Sequence, residues 1–180
     1  VIDIETEASA ATGSQLKSTG GLVVNARDAL QLQTLAAGAG FSSGASVGGA
    51  FAIGVIDIST KAFVAGDADA ARAMTISAHT EIDPTPTLQL PLGVSITASS
   101  VAVAGGASSG NAGIAGAVIV NVVDLVTQAY VTNSSHINQD TAILPAADQS
   151  LTVSATDDTD LISFAGALGV SVGSTGIGAG

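Results

Sequence analysis

The chain has 180 residues, 15 Asp and Glu against four Lys and Arg, a net charge of −11, 22 Gly and no Cys or Trp. Hydrophobic residues make up 47% and aromatics 3%, too apolar for disorder and too poor in large side chains to fill an ordinary core. The acidic balance excludes a nucleic-acid binder, the lack of Cys excludes disulfides and thiolate metal sites, and no run of 18 apolar residues exists to form a membrane helix.

The first segment, Val1-Ile2-Asp3-Ile4, returns as Val55-Ile56-Asp57-Ile58 and again as Val122-Val123-Asp124-Leu125. Alternate positions stay apolar or small: Ile2, Ile4, Thr6 and Ala8 recur as Ile56, Ile58, Thr60 and Ala62, then as Val123, Leu125, Thr127 and Ala129. The positions between them vary. Period two with one constant and one variable face predicts a strand with one side buried. A second segment, Leu22-Val23-Val24-Asn25-Ala26, recurs at 74–78 and 151–155 with the same alternation. It puts Arg27, His79 and Thr156 in one outward column.

A Gly/Ala/Ser-rich stretch follows each time, near 35–54, 101–121 and 161–180, with Ser42-Ser43-Gly44, Ser108-Ser109-Gly110 and Gly173-Ser174-Thr175-Gly176 as turns. Glycine inside strands is unfavourable unless another backbone approaches closely, so these stretches predict sheets packed unusually near each other. The chain therefore reads as three modules, 1–54, 55–121 and 122–180. The second holds an insertion at 81–100 with Pro84, Pro86 and Pro91; the third holds one at 132–150 with Pro145. The two chain ends match successive parts of the repeat, which predicts a slice of a longer array or a subunit whose ends continue one another.

The expected fold is all-β and repetitive: a β-solenoid (parallel β-helix) of three modules. The alternative is a stack of antiparallel β-hairpin layers. The pattern V-[IV]-D-[IL]-x-T-x-A, followed by L-x-[VI]-x-A and a Gly/Ala-rich stretch, resembles the tandem repeats of very large bacterial surface proteins, the leukotoxin-like and haemagglutinin-like filamentous adhesins. The resemblance implies an extracellular, elongated β-solenoid without catalytic residues. It points to a structural filament or adhesin stalk on a bacterial cell surface, associating end to end, with no membrane insertion. The alternative function is a surface-displayed module binding carbohydrate or a host surface; no cofactor is expected, Ca²⁺ being the one ion that a binding module of this kind would use.

Candidate sites are few. Asp3, Asp57 and Asp124 recur on the outward face and form one possible Ca²⁺ column. If a coil takes about 18–20 residues, they lie roughly three coils apart; if each module is one layer, they stack and need a counter-ion. Asp157, Asp158 and Asp160 form a second acidic candidate, and Asp67-Ala68-Asp69 a third, each read more simply as a solvated turn. Phe63 and Tyr130 share an outward column suited to partner contact or lateral packing. His79 reads as a surface residue. His136 lies near Asp140 in the 132–150 insertion, beside the formal sequon Asn133-Ser134-Ser135, but no nucleophile arrangement accompanies it. A polysaccharide-cleaving enzyme would need a groove of clustered acids and bases, and Lys17, Arg27, Lys61 and Arg72 are the only bases.

Overall fold

The structure, a computed structural model, describes residues 1–84, 88–90, 94–173 and 175–180. It is all-β with parallel sheets. The strands are β1 (Ile2–Ala10), β2 (Gln15–Ser18), β3 (Leu22–Leu32), β4 (Thr34–Ser42), β5 (Ala45–Val64), β6 (Asp67–Ala70), β7 (Met74–Pro84), β8 (Leu88–Leu90), β9 (Val94–Ile96), β10 (Ser100–Ser108), β11 (Ala112–Val131), β12 (Leu151–Thr159), β13 (Ser163–Ser171) and β14 (Thr175–Ala179). A long sheet runs β1-β5-β11-β14. Behind one half of it lies a sheet β12-β7-β3, and behind the other half a glycine-rich sheet β13-β10-β4. A short pair, β2-β6, closes the end remote from the Ser-Gly turns.

The chain visits these sheets in the same order each time, and homologous residues become hydrogen-bonded neighbours. Ile2 pairs with Ile56, and Ile56 with Val123. Leu22, Met74 and Leu151 align, as do Thr34, Ser100 and Ser163. The copies are therefore adjacent strands, not strands separated by intervening coils, so the estimate of 18–20 residues per coil is wrong. That estimate used the size of a small coil, whereas here one layer includes a 20-residue strand. The antiparallel-hairpin alternative is also not what forms. Ser43 and Gly44 join β4 to β5, but these strands belong to different sheets and face each other across the interior. Among the described residues only β8 and β9 pair antiparallel. Within the segment 81–100, β7 continues in register with β3 as far as Pro84; Pro86, Pro91 and the turn residue Ser174 lie outside the described residues.

The interior tapers. At the thick end Val24, Val64, Met74 and Ile76 form one buried cluster, and beside it Leu32, Ile56, Ile58 and Ile82 form another. Each such buried aliphatic side chain contributes about 1.5–3 kcal/mol. Between the long sheet and the glycine-rich sheet the buried hydrophobic residues are Ala50, Ala52, Ala102, Ala104, Ala115 and Ala117, with Ile119 packed against them. Nearer the turns several positions cannot take even Ala, although Ala104 and Ala115 stand in register with Gly38 and Gly48. A Cβ on Gly38 would overlap the carbonyl oxygen of Gly49, and one on Gly48 would overlap that of Gly105. Backbone touches backbone there, well inside the ~10 Å spacing of ordinary stacked sheets.

The turn serines are stacked as well. Ser42 Oγ accepts from Gly44 N, and Ser108 Oγ from Gly110 N. Ser108 then donates to the Gly44 carbonyl, and Ser171 to the Gly110 carbonyl, so the Ser108 hydroxyl fixes its own turn and the neighbouring one. At the thick end a second polar column sits inside. Asp28 and Asp157 flank Thr80 in register. Thr60 donates to Asp28 (3.1 Å), Thr80 to Thr60 (2.8 Å), and Thr127 to Asp157 (3.3 Å); Thr80 and Thr127 are also 2.7 Å apart. Thr60 and Thr80 are fully buried, and this ladder satisfies hydroxyls that would otherwise be unfavourable there.

The close approach makes a paired prediction. Gly48→Ala is expected to lower stability by about 1–3 kcal/mol through overpacking. Its neighbour Gly49 points into open space, so Gly49→Ala leaves the melting temperature unchanged or raised. Equal effects in thermal melts of the two variants would refute the close-packed interior.

Candidate functional site

The richest polar site lies where the segment 132–150 meets β6. The segment has no strand of its own and is pinned by specific contacts. Ala68 N donates to the His136 carbonyl, and Asn138 N to the Ala68 carbonyl, making one parallel bridge between Ala68 and Ile137. Asn138 takes a left-handed conformation (φ 53°) that Asn tolerates better than most residues. Its side-chain oxygen accepts from Ala70 N. Asp69, 5% exposed, accepts from both Gln139 N (2.7 Å) and Asp140 N (2.9 Å) through one oxygen. Gln149 donates to the Ala70 carbonyl, and Arg72 pairs with Asp148 at 3.0 Å.

Two side-chain pairs rim the groove that results. His136 Nδ1 lies 2.8 Å from Asp67 Oδ1, and Lys17 Nζ lies 2.6 Å from Asp140 Oδ2. The groove is a cavity of about 300 Å³ lined by Gln15, Lys17, Asp67, Asp69, His136, Gln139 and Asp140. A hydrogen bond from Lys17 and one from Ala142 N hold the Asp140 carboxyl below its ordinary range. The Asp67-Ala68-Asp69 run is thus a strand, not a turn. Its carboxylates are kept by partners about 70 residues away in sequence, and no local pattern announces those partners.

The acidic residues singled out in sequence fall in separate places. Asp3, Asp57 and Asp124 stand side by side on the exposed face of the long sheet. Asp157 belongs to the inward column and accepts from Thr127, whereas Asp158 is on the opposite face of the same strand, beside Glu81. Asp157 and Asp158 therefore lie in β12 and not in a turn, and Asp160 follows its end. Among the described residues no three His, Asp or Glu side chains converge as metal ligands. Phe63 and Tyr130 stack on each other, with ring centroids 5.0 Å apart and planes 6° from parallel. His79 sits between Arg27 and Thr156, with Nδ1 2.8 Å from the Thr156 hydroxyl.

Beside it, Arg27 pairs with Glu81 at 2.7 Å, and that hydrogen bond lowers the Glu81 carboxyl from its ordinary value. Asp83 is raised instead, by desolvation first and then by the neighbouring charges of Glu81, Asp158 and Asp160. Comparisons of the chain with protein-family models, with curated proteins and with solved structures give no match.

Asp69→Ala strips the acceptor from two backbone N–H groups, each worth about 1–3 kcal/mol when buried and unmet. Faster amide exchange at Gln139 and Asp140 is expected, with the β11 amides unaffected; unchanged exchange would show that the segment is held some other way. The Lys17–Asp140 pair has a defined pH sense. Because the folded Asp140 value is depressed, its contribution is full above the ordinary carboxylate pKa and disappears as pH falls through the lowered value. In Lys17→Gln the Asp140 titration, followed by carboxyl NMR, is expected to move upward.

Proposed function

We propose that this chain is a non-catalytic structural segment: a β-solenoid stalk or filament carried on the outside of a bacterial cell. One observation carries the reading. Successive courses of the chain stack in register, so that residue sits on homologous residue through the parallel ladders of the three larger sheets. Such stacking converts residues into length at about 4.8 Å per course and leaves sheet edges at both ends of the stack. Here β1, β3 and β4 form one edge, and β12, β13 and β14 the other. Edges of matching pattern can add further courses end to end, either along one polypeptide or between copies. The acidic outer face keeps neighbouring fibres soluble and discourages non-specific adhesion to anionic surfaces.

A second reading is a displayed binding module for carbohydrate. It is favoured by the polar groove over β6, where Gln15, Lys17, Asp67 and Gln139 offer donors and acceptors of the kind that recognise hydroxyl groups. The pattern of the long sheet does not require this groove, so the two readings are compatible.

Electron microscopy and fibre diffraction separate them. Long uniform fibres with an axial repeat near 4.8 Å are expected for the filament. Compact monomers that bind glycans, with binding lost in Gln139→Ala, would overturn the filament in favour of the module.

A further inference from the structure

All 15 acidic and all four basic side chains lie outside residues 34–56, 100–123 and 163–180, the stretches that build the thin half of the molecule. The thick half carries every charged side chain, and the groove over β6 holds them out of balance. Asp67, Asp69 and Asp140 line it against one ammonium, Lys17, and one imidazole, His136. Asp140 has Lys17 at 2.6 Å, and Asp67 has His136 at 2.8 Å. Among the described residues Asp69 has no such side-chain partner. Lys17 is its neighbour in register but reaches across to Asp140 instead. Both hydrogen bonds to Asp69, from Gln139 N and Asp140 N, end on Oδ1. Its Oδ2 receives none from the described residues, although Asp69 is only 5% exposed. A buried carboxylate oxygen without a donor is unfavourable, and the groove is the open space that Asp69 lines.

We propose that this groove binds a protonated primary amine carried on a small hydroxylated molecule, the chemistry of an amino sugar. The inference rests on the carbohydrate reading of the groove and adds the charge of the ligand to it. The ammonium donates to Asp69 Oδ2 and offsets the excess of carboxylates around it. Gln15 and Gln139 are exposed on the rim, where their amides can exchange hydrogen bonds with ring hydroxyls. A volume of about 300 Å³ is at the low end for small-molecule sites, the size for one ring and not for a chain of them.

Other ligand charges fit less well. An anion would meet three carboxylates. A neutral sugar can give Oδ2 a hydroxyl, but a hydrogen bond between charged partners is roughly twice as strong as a neutral one. A bare Ca²⁺ ion needs about six to eight oxygens around it, and among the described residues no three acidic or imidazole side chains converge to supply them. An ammonium at the end of a larger molecule needs only its three donors met.

Isothermal titration of the full chain with glucosamine, N-acetylglucosamine, glucose, ethylammonium and Ca²⁺ tests this. Glucosamine is expected to bind at least about tenfold more tightly than either neutral sugar, the equivalent of 1.4 kcal/mol, and more tightly than ethylammonium. Asp69→Asn keeps an oxygen for the Gln139 and Asp140 N–H groups but removes the charge, and is expected to erase the preference for glucosamine over glucose. Unchanged amide exchange at Gln139 and Asp140 is its control for folding. Gln15→Glu adds a carboxylate on the exposed rim, away from the contacts that pin the segment 132–150, and is expected to raise the same preference several-fold. Equal binding of the three sugars overturns the inference and leaves the carbohydrate reading standing, whereas binding of no sugar overturns both. A preference that neither variant moves overturns the inference, as does ethylammonium binding as tightly as glucosamine or Ca²⁺ binding more tightly.

Discussion

In-register stacking makes every residue the neighbour of its own counterpart, and the other features of this structure follow from that constraint. A column shares one local thickness, so most inward columns hold side chains of similar size. Ile56 lies between Ile2 and Val123, Ala62 between Ala8 and Ala129, and Gly106 between Gly40 and Gly169. Reading across the columns, from Met74 and Ile76 through Ala50 and Ala52 to Gly48, gives the taper of the interior directly.

The same constraint governs charge. A carboxylate column brings like charges within about 4.8 Å, roughly 0.9 kcal/mol of repulsion per neighbouring pair in water. The exposed column of Asp3, Asp57 and Asp124 is tolerable at that cost because solvent screens it. Several other charges alternate or are paired: Glu7 lies beside Lys61, Arg27 reaches Glu81, and Lys17 reaches Asp140. On the inward face screening is reduced, since Thr80 is buried and Asp28 half-buried, with Asp157 exposed at the edge of the stack. There the column Asp28, Thr80, Asp157 interposes a hydroxyl between its two carboxylates, and Thr60 and Thr127 donate to them from the facing sheet.

Strand positions and burial faces were legible because period-two alternation is local and three copies could be compared. The inward assignment of Ile58, Thr60, Ile76 and Ala78 follows from that comparison, and all four are buried. The close approach of the glycine-rich sheets was legible from the unfavourable placement of glycine in strands. The length of one course was not, because alternation is the same whether a course has one strand or four. Nor was the polar groove. Asp67 and Asp69 resemble a solvated turn when read alone; only docking of the segment 132–150 supplies His136 and the N–H groups of Gln139 and Asp140. That docking rests on one bridge and scattered side-chain bonds, none with a periodic trace.

Thickness and surface character are linked in the thin half. A sheet pair held apart by large side chains can absorb its apolar residues and present polar ones outside, as the thick half does with Ile56 and Ile58 inside and Asp57 outside. A pair whose backbones touch has no interior to offer. Its strands still need β-formers to hold their shape, and those side chains, Phe51, Val118 and Leu168 among them, have only the outer faces left. Close packing of the sheets thus forces the apolar surface outward, and the charged residues, all carried by the other half, do not interrupt that surface.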